Sequence, residues 1–216
     1  AHEIKNPLTP MKLSVQHLER TLSPDNGDWK ERLHKFSNTL IEQIDTLSAI
    51  ANEFSNYAAM PKAKIEPVNL CQTVNNVVEL FKDLPDTDLT LQDHTNENAM
   101  VLSDKDQLSR VFNNLIKNAV QSIPDGKKGK IDVKIYFDNN NVVVAVADNG
   151  VGIADKEKIF SPSFTTKTSG MGLGLAMVKS IIENNKGKIW FETEVNKGTT
   201  FYILLPRLEN ARSENR

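Results

Sequence analysis

Apolar residues in the first quarter of the chain recur at helical spacing. Six of them over residues 4–22 are separated by four, three, four, three and four positions, which is the heptad seam of a coiled-coil-like interface. A second stripe runs from residue 29 to residue 58 with one stutter in the heptads, and neither Gly nor Pro interrupts it before Pro61. The stripes consist of Ile4, Leu8, Met11, Val15, Leu18 and Leu22, and of Trp29, Leu33, Phe36, Leu40, Ile44, Leu47, Ala51, Phe54 and Ala58.

The segment SPDNGD, residues 23–28, separates the two stripes and has the composition of a turn. Asp28 followed by Glu31 fits a capping box at the start of the second helix. Two helices joined by a short loop predict an antiparallel hairpin, which has too little partner surface to bury both stripes. We therefore predict a homodimer in which two hairpins form a four-helix bundle. The alternative is a hairpin that packs on its own C-terminal part.

Beyond a short polar link at residues 61–67, short strands interleave with helices. The alternation in 130–137 and the apolar run 142–147 predict a β-hairpin, and a second hairpin closes the chain around NKG. Because the helices alternate with hairpins and not with the crossovers of a parallel sheet, the predicted class is α+β, with helices layered on a mixed sheet. The tail at 207–216 is predicted to be disordered. The other predicted elements are a helix from Leu70 to Phe81, strands at 89–92 and 99–102, and helices at 103–123 and 173–185, the last ended by Gly187.

Composition narrows the classes of function. The 216 residues include 26 Lys and Arg against 28 Asp and Glu, so nothing indicates a basic surface for nucleic acid. Cys71 is the single cysteine, which rules out an internal disulfide framework and fits a reducing compartment. The sequence has neither an apolar run of about 18 residues nor a secretory signal. Its start at Ala1 without Met suggests a piece of a longer polypeptide, and membrane or sensor segments would then lie outside it.

Two asparagines in NNLIKNA lie on one face of the predicted helix 103–123, because Asn114 and Asn118 are four residues apart. A buried amide needs a partner, and an amide oxygen is a hard donor that suits Mg²⁺ beside phosphate oxygens. Asparagines on a solvated helix face are the commoner case, so the pair alone does not decide between the two.

The segment DNGVGI, residues 148–153, follows a strand of apolar residues. The Asp148 carboxylate could accept a hydrogen bond from the exocyclic amine of adenine, and Gly150 and Gly152 let the backbone pass close to a flat ligand. A plain β-turn also uses Asp-Asn-Gly and is the alternative.

Alternating glycines precede the last predicted helix in SGMGLGLAMVK, residues 169–179. Gly170, Gly172 and Gly174 would expose backbone N–H groups to an anion at the helix N-terminus. A flexible linker that leads into a helix has the same sequence pattern and is the alternative. Ahead of them, the 20 residues 153–172 hold no clear strand and are long enough for a mobile lid, from which Lys167 could reach a terminal phosphate.

In this order and spacing, the motifs resemble those of the ATP-binding domain of bacterial sensor histidine kinases, which is shared in outline with DNA gyrase, mismatch-repair ATPases and large heat-shock chaperones. NNLIKNA is similar to the N box, DNGVGI to the first glycine box, FSPSFTTK to the F box and GMGLGL to the second glycine box. KGTTF, residues 197–201, is similar to the closing segment near the adenine. One departure is Ser163 before Phe164, where the F box often has Phe-Phe.

The resemblance implies ATP and Mg²⁺ as ligands. Asn118 would be a Mg²⁺ ligand, Asn114 would lie beside the phosphates, and Asp148 would recognise adenine. The ATP-hydrolysing relatives have a water-activating Glu where this chain has Asn114, so the domain is expected to hold ATP without hydrolysing it quickly. The other nucleotide-binding candidates are Lys117, Gly150, Gly152, Phe160, Lys167, Gly170, Gly172, Leu173, Gly174, Thr199 and Thr200.

The opening AHEIKNPLTP resembles the H box of the same family, with the phosphoacceptor at His2. Glu3 can hydrogen-bond the imidazole and fix its tautomer, and Pro7 would bend the helix just after the acceptor. Asn6 lies on the same face as His2, and the resemblance raises dephosphorylation of the partner as a hypothesis for it.

The sequence thus predicts a dimerisation and phosphotransfer hairpin at 1–60, a linker at 61–67, an ATP-binding catalytic domain at 68–206 and a tail at 207–216. The expected function is ATP-dependent autophosphorylation of a histidine and transfer to an aspartate of a response regulator receiver domain. The expected protein is the cytosolic part of a membrane-bound sensor kinase, homodimeric, without a nucleic-acid partner and with its sensor module upstream. The alternatives are a degenerate nucleotide-binding scaffold and a gyrase- or chaperone-type ATPase.

Overall fold

The computed structural model describes residues 8, 11–13, 15, 29–58, 63–96, 98–161 and 173–208. The chain divides into two compact units, one of Ala1–Met60 and Ser161–Leu173 and the other of Pro61–Phe160 and Gly174–Arg216. Several sequence predictions lie outside the described residues, namely those on the turn at 23–28 and on His2, Glu3, Asn6, Lys167, Gly170 and Gly172.

The first unit contains a 30-residue helix, α1 (Trp29–Ala58), and residues 8, 11–13 and 15 are also helical. The uninterrupted second helix is therefore confirmed. Within a single chain, some apolar side chains of this unit are exposed to solvent; Ile41 and Ile44, for example, are 55% and 50% exposed. The helix therefore presents apolar surface that no other part of the described chain covers. Among the helices of the described residues, none combines the length and the apolar character that crossing a membrane requires.

The second unit is built on two β-sheets. β1 (Glu66–Asn69) pairs antiparallel with β3 (Met100–Ser103), and the main sheet has five strands in the order β2-β4-β5-β7-β6. In the main sheet, β2 and β4 are parallel and the other neighbours are antiparallel. The strands of the main sheet are β2 (Thr87–Asp93), β4 (Gly129–Asp138), β5 (Asn141–Asp148), β6 (Lys188–Glu194) and β7 (Gly198–Pro206).

Three helices pack against this sheet: α2 (Leu70–Glu79), α3 (Lys105–Ser122) and α4 (Gly174–Asn184). The Asp104 side chain caps α3 by accepting the N–H of Gln107. Along β4, the side chains of Ile131, Val133 and Ile135 are fully buried, whereas those of Lys130 and Lys134 are exposed. This alternation places the core between the helices and one face of the sheet, and the predicted α+β class with a mixed sheet is confirmed.

The connections between strands depart from the predicted topology. The parallel pairing of β2 with β4 encloses β3 and α3, so the chain crosses over between these two strands, where the sequence pattern indicated hairpins alone. A second crossover joins β5 to β6 through α4, because β7 lies between them in the sheet. Strands β2 and β4 lie about 40 residues apart in the sequence. Alternation of apolar and polar residues indicates that a segment is a strand, but it does not indicate which distant strand it pairs with.

The ends of the predicted domain are also more ordered than the pattern indicates. The N–H of Leu208 donates to the Met100 carbonyl at 2.7 Å, and Arg207 forms a β-bridge with Val101. The prediction of a disordered tail is therefore wrong for these two residues, because they pair with β3. At the other end, Pro67 lies inside β1, and the two-stranded pairing tolerates a residue without an N–H.

Candidate nucleotide-binding site

Asp148 ends β5, and its carboxyl is held on one side by three donors. Its Oδ1 accepts hydrogen bonds from the N–H of Gly150 at 2.8 Å, the hydroxyl of Ser122 at 2.9 Å and the N–H of Thr199 at 3.3 Å. Its Oδ2 takes no part in these bonds. Burial raises the pKa of the Asp148 carboxyl above its ordinary value, although these hydrogen bonds and the charge of Lys127 act in the opposite direction. The carboxyl is therefore oriented by the protein and is costly to ionise.

Glycines allow the backbone around Asp148 to pack closely. A β-carbon at Gly152, where φ is +72°, would lie 2.4 Å from the carbonyl oxygen of Glu194. At Gly198, where φ is +128°, a β-carbon would lie 1.9 Å from the carbonyl oxygen of Asp148. Real β-carbons do not occur at such distances, and residues with a side chain rarely adopt such φ, so the first glycine box and the turn between β6 and β7 depend on these two glycines.

Asn149 ties the first glycine box to the loop between α3 and β4. Its side-chain oxygen accepts the N–H of Lys130 at 2.9 Å, and its amide group donates to the Lys128 carbonyl at 3.0 Å. The Lys127 ammonium contacts the main-chain carbonyl of Asn149. Asp148 Oδ1 accepts the N–H of Gly150 two residues later, which is an Asx turn and explains why Asp-Asn-Gly occurs here. The turn interpretation and the ligand-binding interpretation are therefore compatible, because the turn orients the Asp148 carboxyl.

A pair of threonines joins β6 and β7 beneath the site. The hydroxyls of Thr193 and Thr199 lie 2.9 Å apart, and Thr193 Oγ1 also accepts the N–H of Ile153 at 2.9 Å. Thr199 is 5% exposed. Because side chains alternate along a strand, Thr200 lies on the opposite face of β7, next to Ala147 and Glu192. The structure brings Thr199, and not Thr200, to Asp148.

The two asparagines of the N box lie on α3 in partly buried positions. The Asn114 amide group donates to the Arg110 carbonyl at 2.9 Å, and its Oδ1 faces the start of α4: a β-carbon at Gly174 would lie 2.9 Å from this oxygen. Gly174 thus leaves room for the Asn114 amide oxygen. Asn118 has an interaction partner and lies one turn further along α3, and Lys117 is exposed.

The N box contains amide oxygens, a kind of ligand that Mg²⁺ accepts beside phosphate oxygens. The described part of the chain holds no group of three or more His, Cys, Asp or Glu that could bind a metal ion. Mg²⁺ needs few protein ligands when a nucleotide supplies phosphate oxygens, and the Asn118 amide oxygen is a hard donor of the required kind.

Residues in the first part of the predicted lid, 153–172, are anchored, and so is Leu173, which follows the lid. Phe160 packs edge-to-face on Phe191 of β6 with ring centroids 6.0 Å apart, and the Lys179 ammonium of α4 lies 5.7 Å from the Phe160 ring centroid. Ile159 and Leu173 are buried. Phe160 of the predicted F box therefore packs against β6 and α4, and its contact with a nucleotide stays a prediction.

Sequence reasoning missed Ser122, Asn149 and Thr193. Ser122 carried a usable signal, because it follows Asn118 by four residues and Asn114 by eight and therefore lies along the same face of α3. Thr193 carried none, since its role comes from the pairing of β6 with β7.

Comparison with known proteins identifies the class of each part. Residues 103–209 match the family model described as histidine kinase-, DNA gyrase B-, and HSP90-like ATPase, and residues 1–61 match the His Kinase A (phospho-acceptor) domain. Sporulation kinase E of Bacillus subtilis (strain 168) is 30% identical over 216 residues, which cover 98% of this chain and 28% of that protein. The sensor histidine kinase ZraS of Escherichia coli (strain K12) is 33% identical over 211 residues, which cover 95% of this chain and 44% of that protein.

Solved structures agree with these matches. The catalytic domain of histidine kinase ThkA is 35% identical with a TM-score of 0.60, over 67% of this chain and 96% of that one. ThkA in complex with response regulator protein TrrA gives a TM-score of 0.72 at 29% identity, over 96% of this chain and 60% of that one. The chain belongs to the bacterial sensor histidine kinases and contains the catalytic core of that family. It spans less than half the length of the curated relatives named above.

Proposed function

We propose that this chain is an ATP-dependent protein-histidine kinase core that phosphorylates His2 and passes the phosphoryl group to an aspartate of a response regulator. The observation that carries the proposal is the Asp148 carboxyl, whose Oδ1 is fixed by three donors among close-packed glycines. The proposed domain division is a hairpin at 1–60, a linker at 61–67 and an ATP-binding domain at 68–206.

Adenine recognition would depend on the free side of Asp148. With Oδ1 occupied by the donors from Gly150, Ser122 and Thr199, Oδ2 is the oxygen left to accept a hydrogen bond from the adenine 6-amino group. A preorganised acceptor loses little orientational entropy when the base binds. Thr199, whose N–H and hydroxyl are both engaged, would support the position of Asp148.

The phosphates would lie toward the N box and the segment that precedes α4. Asn118 would hold Mg²⁺, with Asn114, Lys117 and Lys167 near the phosphates and the glycines Gly170, Gly172 and Gly174 supplying backbone N–H groups. Mg²⁺ would supply charge neutralisation of the phosphates. Phe160 would anchor the lid from within its first half, and Leu173 would hold its C-terminal end.

Asn114 favours phosphoryl transfer to a protein nucleophile over hydrolysis. Its amide group donates to the Arg110 carbonyl, and an amide oxygen is too weak a base to take a proton from water. A domain that binds ATP without activating water keeps the γ-phosphoryl group for another acceptor. This observation supports a kinase over a gyrase- or chaperone-type ATPase.

His2 would be that acceptor. A neutral imidazole nitrogen would attack the γ-phosphorus, the bond to the β,γ-bridging oxygen would break, and ADP would leave. Glu3 would orient the ring through its other N–H, and Asn6 would position water for dephosphorylation of the partner. The match of residues 1–61 to a phospho-acceptor domain supports these roles.

The proposed assembly is a homodimer that docks a receiver domain. Apolar side chains of the helical unit that belong to the predicted stripes, among them Leu8, Val15, Leu33 and Ile44, are exposed within one chain and would be covered in a four-helix bundle. The receiver-domain partner is supported by the ThkA–TrrA complex among the structural relatives. The sensor module would lie upstream of residue 1 in a membrane-bound sensor kinase.

The test is incubation with γ-labelled ATP and Mg²⁺, comparing wild type with His2→Gln. We expect an acid-labile label on the wild type that is lost in His2→Gln and kept in His34→Gln, a control at an exposed histidine of α1. Free phosphate released at high turnover would instead indicate an ATPase, and binding without either product would indicate a scaffold.

A further inference from the structure

Ser122 contacts the first glycine box through both its main chain and its side chain. Its carbonyl accepts the N–H of Val151 at 3.0 Å, and its hydroxyl lies 2.9 Å from Asp148 Oδ1. A β-carbon at Gly150 would lie 2.0 Å from the Ser122 hydroxyl oxygen. The last residue of α3 is therefore packed directly against the segment that carries the adenine-recognition carboxyl.

The Ser122 hydroxyl has two acceptors and one proton. Its oxygen lies 2.7 Å from the Ala119 carbonyl and 2.9 Å from Asp148 Oδ1, and a hydroxyl can donate only one hydrogen bond at a time. The Ala119 carbonyl is in the last turn of α3, where the Ile123 N–H bonds to Val120 instead of to Ala119. Both acceptors thus compete for the same proton.

The charge on Asp148 decides this competition. A hydrogen bond to an ionised carboxylate is stronger than one to a neutral carbonyl, so the hydroxyl donates to Asp148 when the carboxyl is ionised. When Asp148 is neutral, the carbonyl of Ala119 is the better acceptor. The hydroxyl therefore stabilises the ionised carboxylate selectively.

We propose that Ser122 is a positioning residue for adenine: its hydroxyl holds Asp148 as an oriented carboxylate whose second oxygen accepts the 6-amino group of the base. This inference rests on the proposed function, in which Asp148 recognises adenine. The inference gives Ser122, the last residue of α3, an indirect role in binding the base.

The electrostatic surroundings of Asp148 agree with this role. The charged group that acts on it is Lys127, from the loop between α3 and β4. From β7 and from the first glycine box, the contacts are the main-chain N–H groups of Thr199 and Gly150, and from α3 the contact is the neutral Ser122 hydroxyl. Burial raises the pKa of Asp148, and the Ser122 hydrogen bond opposes that rise.

The experiment measures affinity for the β,γ-imido analogue of ATP by calorimetry, with Mg²⁺, from about pH 5 to about pH 8. A second titration uses the corresponding purine riboside triphosphate, which lacks the 6-amino group. The variants are Ser122→Ala, Asp148→Asn and the control Ser109→Ala. Ser109 is also on α3 and donates its hydroxyl to the Lys105 carbonyl at 2.9 Å.

We expect Ser122→Ala to weaken the ATP analogue about three- to tenfold, with a smaller loss for the purine riboside analogue. The pH at which affinity falls on the acid side should move upward in Ser122→Ala and stay unchanged in Ser109→Ala. Ser122→Cys, a weaker donor of similar size, should give an intermediate shift and serves if Ser122→Ala does not fold.

Two results would overturn the proposal. One is a Ser122→Ala profile that coincides with that of Ser109→Ala, and the other is an equal loss for both nucleotides with no movement of the acid limb, which would mean a merely structural role. Failure of the proposed function looks different, since Asp148→Asn would then bind the ATP analogue as tightly as the wild type.

Discussion

The α-carbon of Gly198 lies so close to Asp148 that a β-carbon there would be 1.9 Å from the Asp148 carbonyl oxygen. This contact joins the turn before β7 to the end of β5. It also places the N–H of the next residue, Thr199, at 3.3 Å from Asp148 Oδ1.

The first prediction follows from this contact. Gly198→Ala should lower the free energy of unfolding by about 3 kcal/mol or more, because it adds an overlap with the main chain to a φ of +128° that alanine rarely adopts. Urea unfolding measures this change. Gly126→Ala is the control, since Gly126 also has positive φ, +78°, but has nothing within 4 Å of the added carbon.

The control isolates the conformational part of the cost. Gly126→Ala should lose only about 1 kcal/mol, the usual penalty of a left-handed φ for alanine. Equal losses in the two variants would show that the contact with Asp148 contributes nothing.

The second prediction concerns the pH dependence that Asp148 confers. Because its pKa is raised in the folded state, the folded protein binds more protons than the unfolded chain between the ordinary value of 3.8 and the raised value. The contribution of Asp148 to the free energy of unfolding therefore decreases as the pH rises through this window. Asp148→Asn should gain stability relative to wild type over the same window, in urea unfolding at a series of pH values.

Asp104 should show the opposite sign and gives the third prediction. Burial opposes its ionisation, but the main-chain N–H groups of Gln107, Lys64 and Asp106 outweigh burial and lower its pKa below the ordinary value. Its stabilisation is thus present above the unfolded-state pKa and is lost as the pH falls through the folded-state pKa. Asp104→Ala should cost about 1–2 kcal/mol near pH 7 and less in acid.

Asparagine at position 104 separates capping from charge. Asp104→Asn keeps one acceptor oxygen, which can accept the Gln107 N–H that lies 2.9 Å from Oδ1, and it does not titrate. It loses the second acceptor, to which the Lys64 N–H donates at 2.7 Å, because the amide NH₂ is itself a donor. It should therefore keep part of the stability near pH 7 and lose the acid dependence. An acid dependence unchanged in Asp104→Asn would contradict the assignment.

The fourth prediction tests the proposal that Asn114 keeps this domain from hydrolysing ATP quickly. Asn114→Glu introduces a carboxylate where the hydrolysing relatives have their general base, and it should raise phosphate release from ATP at least about tenfold. A coupled phosphate assay measures the rate. Asn113→Glu adds the same charge at an exposed position of α3 and should leave the rate unchanged.

Much of this fold was predictable because its signals are local. The alternation in β4 and the stripe along α1 depend on neighbouring residues, and the structure has each element within a few residues of its predicted bounds. The parallel pairing of β2 with β4 is a long-range choice that no local pattern records.

The candidate site was predictable where a motif carried it. Asp148 and Gly152 were identified from the resemblance of DNGVGI to the first glycine box, and the structure has Asp148 at the end of β5 and Gly152 at a φ of +72°. Thr199 and Thr200 could not be told apart, because choosing between neighbours in a strand requires knowing which face each one occupies. Thr193 acts through the pairing of β6 with β7, so its importance became visible only in three dimensions, whereas Ser122 could have been found from its place on the same face of α3 as Asn114 and Asn118.

Two of the three donors that hold Asp148 are main-chain amides. The proposed recognition of the base would therefore depend on backbone conformation as much as on side-chain identity. A saturation-mutagenesis map of residues 148–152 and 193–199 should accordingly have its least tolerant positions, apart from the aspartate, at glycines, the residues that have no side chain to contribute.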